Sequence, residues 1–319
     1  MISIIVPTYN DNDVLDICLA ALQSSDTAPL EVIVVDDASP ESAADLVARY
    51  GYRYIRLEQN SGQATARNEG ARIASGDILF FIDSDVAVRR DTIGKVEAAH
   101  KQAGVFVYQG ISSATPLNKG FGPKLMALKL FYMLKDCREA SYIHSHLFSI
   151  KKSVFAEVGG FDPSYRPPGC GEEFELGHRL RRKYTIHTDP DLLAEHRCHE
   201  VLPRAEALFY RAYVWGGLFK KVGKFEKTNA SLSEASVGVL NTTALGFLVL
   251  SVFSIYFLYA VPILLVLQLA LSSGFYRFLY REEGFVFMLR SILPNMLWSV
   301  AVVAGGARYF IESFLGRVK

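Results

Sequence analysis

The sequence predicts an α/β fold, a doubly wound and mostly parallel sheet, followed by a C-terminal α-helical membrane segment. Three observations carry this. Short apolar runs alternate with helix-length stretches from Ile2 to Val86, a βαβαβαβ order that builds parallel sheets. The runs Ile2–Val6, Glu31–Val35 and Ile78–Ile82 do not alternate with polar residues, so both faces of those strands are covered. The hydrophobic excess of the chain is concentrated at its C-terminal end.

Ile2 to Val6 reads as the first strand. The loop Pro7-Thr8-Tyr9-Asn10-Asp11-Asn12 supplies an Asp or Asn to cap a helix over Val14–Ser24. Glu31–Val35 is the second strand, ending in Asp36-Asp37-Ala38-Ser39-Pro40, and a helix covers Glu41–Tyr50. Arg53–Leu57 is a third strand. Asn60-Ser61-Gly62-Gln63 turns into a helix reaching Ala74. Ile78–Ile82 then runs into Asp83-Ser84-Asp85, with a helix expected near Arg89. Parallel strands share a C-terminal edge, so the polar loops at Thr8, Asp36 and Asp83 meet there, where open α/β sheets bind ligands. Two carboxylates one residue apart repel unless a cation sits beside them. A divalent ion holding a diphosphate supplies that charge. Asp85 merely capping the next helix is the plainer alternative.

The 319 residues suffice for one large domain with an appendage, or two domains. The net charge of +1 gives no field for nucleic acid. Mean hydropathy is +0.17, high for a wholly soluble chain. Cys18, Cys137, Cys170 and Cys198 lack Cys-x-x-Cys spacing and read as reduced thiols. No basic leader precedes the first strand. Neither Gly-x-Gly-x-x-Gly nor Gly-x-x-x-x-Gly-Lys occurs, which argues against dinucleotide and P-loop binding.

Ile4-Ile5-Val6-Pro7-Thr8-Tyr9-Asn10, Val34-Val35-Asp36-Asp37-Ala38-Ser39, Asn60-x-Gly62 with Ala66-Arg67-Asn68, and Asp83-Ser84-Asp85 come in register. Together they resemble the family 2 glycosyltransferases, inverting enzymes of the GT-A nucleotide-diphosphosugar fold. The resemblance implies that Pro7 and Tyr9 flank the nucleobase and that Asp37 bonds the base or ribose. It places Arg67 near the donor, Asp83 on the ribose or sugar, and Asp85 on a divalent cation, Mn²⁺ or Mg²⁺. Asp36 reads instead as a strand-end Asx turn.

Lys124–Cys137 reads as an amphipathic helix, packed on the sheet or facing acceptor and membrane. Ser145–Ile150 with Phe155-x-x-Val158-Gly159-Gly160-Phe161-Asp162 resembles the family segment behind the sugar. Gly171-Glu172-Glu173-Phe174-Glu175-Leu176 resembles the family's Gly-Glu-Asp-x-Asp-Leu motif, with Glu173 and Glu175 where Asp is usual. Inversion needs a base for the acceptor hydroxyl. Glu173 is the candidate and Glu172 stays open; both also suit the first turn of a helix running to Arg182. Tyr184–His187 is strand-like. His196 and His199 both stand where the family has a His on metal or diphosphate. Arg211-Ala212-Tyr213-Val214-Trp215 only half matches the Arg-Trp signature of processive synthases, which favours transfer of one sugar.

Asn241–Leu271 is about thirty residues without a formal charge, long enough for a tilted span. Phe285–Arg308 is a second apolar run, interrupted by Arg290 and Pro294. The expectation is a catalytic domain over 1–228 and anchoring helices over 229–319, with spans near 241–271 and 285–308. A hairpin leaves Lys220, Lys221, Lys224, Lys227, Arg308, Arg317 and Lys319 on the cytoplasmic side of a cell inner membrane. The implied partners are a nucleotide-diphosphosugar (UDP-linked by preference), a lipid-linked or envelope-glycan acceptor, and membrane lipids. A processive polysaccharide synthase and a catalytically silent nucleotide-sugar scaffold are the alternatives.

Overall fold

The structure is a computed structural model and describes residues 1–27, 31–165, 171–222 and 232–317. The described chain divides into two compact units, Met1–Cys198 and His199–Lys319. The sequence places that boundary at 228, which lies outside the described residues.

In the first unit the order is β1 (Ile2–Thr8), α1 (Asn12–Gln23), β2 (Glu31–Asp36), α2 (Ala44–Arg49), β3 (Arg53–Arg56), α3 (Gln63–Ile73) and β4 (Ile78–Ile82). It continues with β5 (Val86–Val88), α4 (Thr92–His100), β6 (Val107–Ser112), α5 (Phe121–Leu134), β7 (Leu147–Lys151), α6 (Lys152–Glu157), α7 (Glu172–Leu180) and β8 (Ile186–His196). The strands form one sheet of order β3-β2-β1-β4-β7-β6-β8-β5. β1, β2, β3 and β4 are parallel, whereas β7 runs antiparallel to both β4 and β6. β8 is parallel to β6, and β5 antiparallel to β8. The sheet is therefore mixed.

The strands alternate sides as the pleat demands. Ile4 and Val6 of β1 and Phe80 and Ile82 of β4 join one core with Leu15, Leu19 and Ile93. Ile5, Leu79 and Phe81 face the opposite core with Phe148, Phe155 and Leu176. Phe81 stacks on Phe148 at 5.7 Å and meets Phe161 edge-on at 5.4 Å. Burying one such ring contributes roughly 2–3 kcal/mol. α3 lies close on β1 because position 70 is glycine; a Cβ there would come within 2.5 Å of Ile5 Cγ2.

Two expectations are corrected here, and the plainer alternative for Asp85 falls. Asp85 does not cap a helix: β5 follows it at once, and α4 starts only at Thr92. α5 is not amphipathic, and of its two readings the packed helix is the one observed. Leu125, Met126, Ala127 and Leu128 are all buried, and four successive positions span more than a full turn. The second correction concerns the transmembrane hairpin.

The second unit is helical: α8 (Val201–Val222), α9 (Leu232–Leu250), α10 (Ile255–Leu271), α11 (Ser273–Arg290) and α12 (Ile292–Phe314). Among the described residues no single helix is long and apolar enough to cross a membrane. The expected span 241–271 is broken at 251–254, and the expected span 285–308 is broken at Ser291. Only α10 and α11 together have the length and composition, and they bend by 66°. Ser251 and Ser254 bracket the first break, and Ser bonds back to local backbone more readily than it continues a helix; Ser251 Oγ donates to the Leu248 carbonyl. Polar contacts tie the helices: Trp298 Nε1 donates to the Val201 carbonyl at 2.9 Å, and Tyr213 to Glu312 at 2.6 Å. Lys220 is exposed and donates to Ser313 at 2.9 Å. Lys224, Lys227 and Lys319 lie outside the described residues.

Candidate active site

The C-terminal ends of β1, β2 and β4 build one lip of the sheet. The loops after β1 and β2 are laced together: Asp37 N donates to the Thr8 carbonyl and Asn10 N to Ser39 Oγ, both at 2.9 Å. Two non-glycine residues hold the left-handed region here, Asn10 at φ 52° and Ala38 at φ 61°. Ala has no side chain to compensate that strain, so the surrounding hydrogen bonds must impose it. Pro7 is buried within β1, and Tyr9 beyond it is exposed.

Asp36 behaves as the Asx turn expected of it. It accepts from Ser39 N at 2.7 Å and from the Tyr54 hydroxyl at 2.7 Å. Burial opposes its charge, yet those bonds hold its carboxyl below the ordinary range. Asp37 is also committed: its oxygens accept Ser61 N and Gly62 N, each at 2.7 Å. That fixes the entry to α3, where Gly62 adopts φ 87°.

α3 carries Arg67 into the interior beneath this lip. The guanidinium is fully buried, with Nη2 2.6 Å from Asp83 Oδ1 and Nη1 2.9 Å from Glu172 Oε1. Nη2 also reaches Gln63 Oε1 at 3.3 Å, one helical turn earlier. The Phe161 ring lies 5.3 Å from the guanidinium carbon. Burial disfavours the charge, but Asp83 and Glu172 outweigh it and hold Arg67 protonated well above its ordinary value. The second oxygen of Glu172 accepts Gly171 N at 2.9 Å, so both its oxygens are engaged. Glu173 follows in the first turn of α7 and is also buried. Glu175 pairs with Arg179 one turn on at 2.5 Å.

At the end of β4, Asp83 and Asp85 remain partly exposed. β5 pairs with β8 in the register Val86↔His196, which brings His196 Nε2 to 3.3 Å from Asp85 Oδ1. His146 stacks on His196, with centroids 5.0 Å apart and rings within 6° of parallel. Ser112 Oγ meets His146 Nε2 at 3.1 Å. His199 is exposed and opens the second unit. Asp85 and His196 form an oxygen–nitrogen donor pair able to share one divalent ion, with diphosphate oxygens completing the shell. Among the described residues no group of three or more His, Cys, Asp or Glu side chains is placed to hold a metal ion together.

The structure thus brings Arg67, Asp83, Glu172 and Glu173 together, and separately Asp85 with His196. Sequence reasoning missed His146 and the hold of Asn68, whose amide bonds Phe161 twice, at 2.8 and 3.0 Å. The sequence does signal both: His146 stands in a His-x-His pair before β7, and Asn68 closes the Ala-Arg-Asn motif.

Residues 3–159 match the model of Glycosyl transferase family 2. Validoxylamine A glucosyltransferase of Streptomyces hygroscopicus subsp. limoneus is 38% identical over 216 residues, which is 56% of this chain and 48% of that protein. Poly(ribitol-phosphate) beta-glucosyltransferase of Bacillus spizizenii is 35% identical over 92 residues, 26% of this chain and 14% of that protein. The chain spans about half the length of the first curated relatives it matches. The mannosyltransferase PcManGT of Pyrobaculum calidifontis, solved with GDP-Man and Mn²⁺, superposes with a TM-score of 0.57 at 18% identity, covering 97% of this chain and 86% of that one. By its matched segment and its sheet, the Met1–Cys198 unit is similar to glycosyl transferase family 2 and has a GT-A-like fold.

Proposed function

We propose that this chain is an inverting glycosyltransferase that moves one sugar from a nucleotide-diphosphosugar to a hydroxyl acceptor. The observation that carries the reading is the single sheet edge on which Asp83, Asp85 and His196 stand beside a buried carboxylate pair, Glu172 and Glu173. The match of residues 3–159 to the family model and a structural neighbour solved with GDP-Man and Mn²⁺ support it.

Pro7, Tyr9 and Asp37 form the nucleotide lip, and UDP is the first nucleotide to test. Asp85 and His196 would hold a divalent ion, Mn²⁺ or Mg²⁺, whose charge favours departure of the diphosphate. Glu173 takes the proton from the acceptor hydroxyl as that oxygen attacks the anomeric carbon and the bond to diphosphate breaks. Glu172 suits that task less well, because Arg67 and Gly171 N each bond one of its oxygens. The two curated relatives above name unlike acceptors, so the acceptor rests on a different feature. α10 exposes Tyr256, Tyr259, Ile263, Val266 and other apolar side chains on several sides. A helix apolar all round, packed on α9 but with most of its side chains still exposed, suits contact with lipid, hence a lipid-linked or envelope-glycan acceptor at a membrane surface.

Calorimetric titration of the detergent-purified chain with nucleoside diphosphates, with and without Mn²⁺, tests the donor site. One nucleotide binding in a metal-dependent way, lost in Asp85→Ala, is expected; no binding by any nucleotide refutes the reading. Glu173→Gln should keep that binding and lose about 100-fold or more in transfer rate. Unchanged turnover would remove Glu173 from the base role.

A further inference from the structure

The resemblance assigns Arg67 to the donor, but its surroundings leave it no face toward one. The side chain is fully buried, and both terminal nitrogens are taken by Asp83, Glu172 and Gln63. Asp83 ends β4 on the donor side. Glu172 opens α7, the helix that carries Glu173. These two carboxylates lie 16 and 105 residues from Arg67 in sequence, and one planar guanidinium spans them. Its neighbour Asn68 clasps Phe161 through both amide atoms, and Phe161 in turn covers the guanidinium. At the other end of the same turn, Arg179 of α7 donates to the Gly160 carbonyl at 2.7 Å. Two successive residues of α3 therefore fix where α7 begins.

Resting on the glycosyltransferase reading, we propose that Arg67 is a positioning residue: it locks the start of α7 to the donor-side Asp83, and so aims Glu173 at the acceptor, without touching the donor itself. The geometry uses the two terminal nitrogens of one planar guanidinium, one on each carboxylate, and lysine, a single point of charge, cannot reproduce it. Misplacing a catalytic group by about an ångström costs on the order of 100-fold in rate.

The test compares Arg67→Lys, Glu172→Gln and the double variant with the parent full chain. In Arg67→Lys, calorimetry should give nucleoside-diphosphate affinity within roughly threefold of the parent. Its kcat should fall about 100-fold while KM for the acceptor hardly moves. Glu172→Gln should fall similarly, and the double variant no further than the worse single, because both act through one bridge. Loss of diphosphate binding with kcat at saturation intact would overturn the proposal and return Arg67 to the donor. So would unchanged kcat, or fully additive losses. Hydrogen exchange reads the bridge without any turnover: amides 172–180 should lose protection in Arg67→Lys, and unaltered protection there refutes the lock. A parent that binds no nucleotide yet shows that loss would refute the glycosyltransferase reading and leave the lock standing.

Discussion

α7 is fastened at its two ends by charged groups that look alike on paper and differ in surroundings. At its start, Arg67 meets Glu172 at 2.9 Å with both side chains at 0% exposure. Just past its end, Lys183 meets Glu157 at 2.6 Å with 67% and 41% exposure. The shorter contact is the weaker one. In water, two charges are already solvated and gain little by meeting, while side-chain entropy is lost. In the interior neither charge has a solvent to return to, so each is held by the other. The difference teaches that separation alone does not rank ion pairs, and that the buried one can define where a helix starts.

The largest effect should come from breaking the buried end outright. Arg67→Ala leaves Asp83 and Glu172 facing each other without their cation, and removal of one partner from such a pair costs about 3–5 kcal/mol. Denaturant unfolding should show that loss in the midpoint. Much of it should return in Arg67→Ala with Glu172→Ala, which removes a buried charge of each sign. Failure of the second change to rescue would place the damage in the cavity rather than in the orphaned charge.

Much of this half of the molecule was legible in the sequence. Continuous apolar runs gave β1, β2 and β4, and their polar ends gave the lip at Thr8, Asp36 and Asp83. The rest was hidden for physical reasons. β5 is three residues long, too short for periodicity to register. β8 continues through Thr188-Asp189-Pro190-Asp191, which reads as a turn. The register jumps from Gln109↔Thr188 to Ile111↔Leu193, so Pro190 sits in an irregularity where its missing N–H is not needed. Without β5 and the length of β8, the meeting of Asp85 and His196 cannot be inferred. Arg67 was hidden differently. Arginine is ordinarily a surface residue, and only the distant Asp83 and Glu172 make its burial tolerable. In the second unit an uncharged run reads as one span, but absence of charge says nothing of where local serine bonds interrupt a helix.

Between the two extremes stands Arg179, partly buried, paired with Glu175 and donating to the carbonyls of Val158 and Gly160. Arg179→Ala leaves those carbonyls short of a partner. Unfolding should be easier by about 1–3 kcal/mol, less than for Arg67→Ala. An effect as large as the buried one would mean that the turn at Gly159–Phe161, not the bridge, sets the position of α7.

The smallest effect belongs to the exposed end. Lys183 and the Tyr184 hydroxyl hold the Glu157 carboxyl below its ordinary value, Lys183 first. A carboxyl lowered on folding contributes stability above its unfolded value, near 4.5, and loses that contribution as acid protonates it. Any effect of Lys183→Ala on the unfolding midpoint should therefore be full above that pH, fade as pH falls through the lowered folded value, shrink with added salt, and stay within the scatter of repeated melts. A clear, salt-resistant shift at neutral pH would show that the pair is shielded from water, and the contrast between the two ends of α7 would then have to rest on geometry rather than on burial.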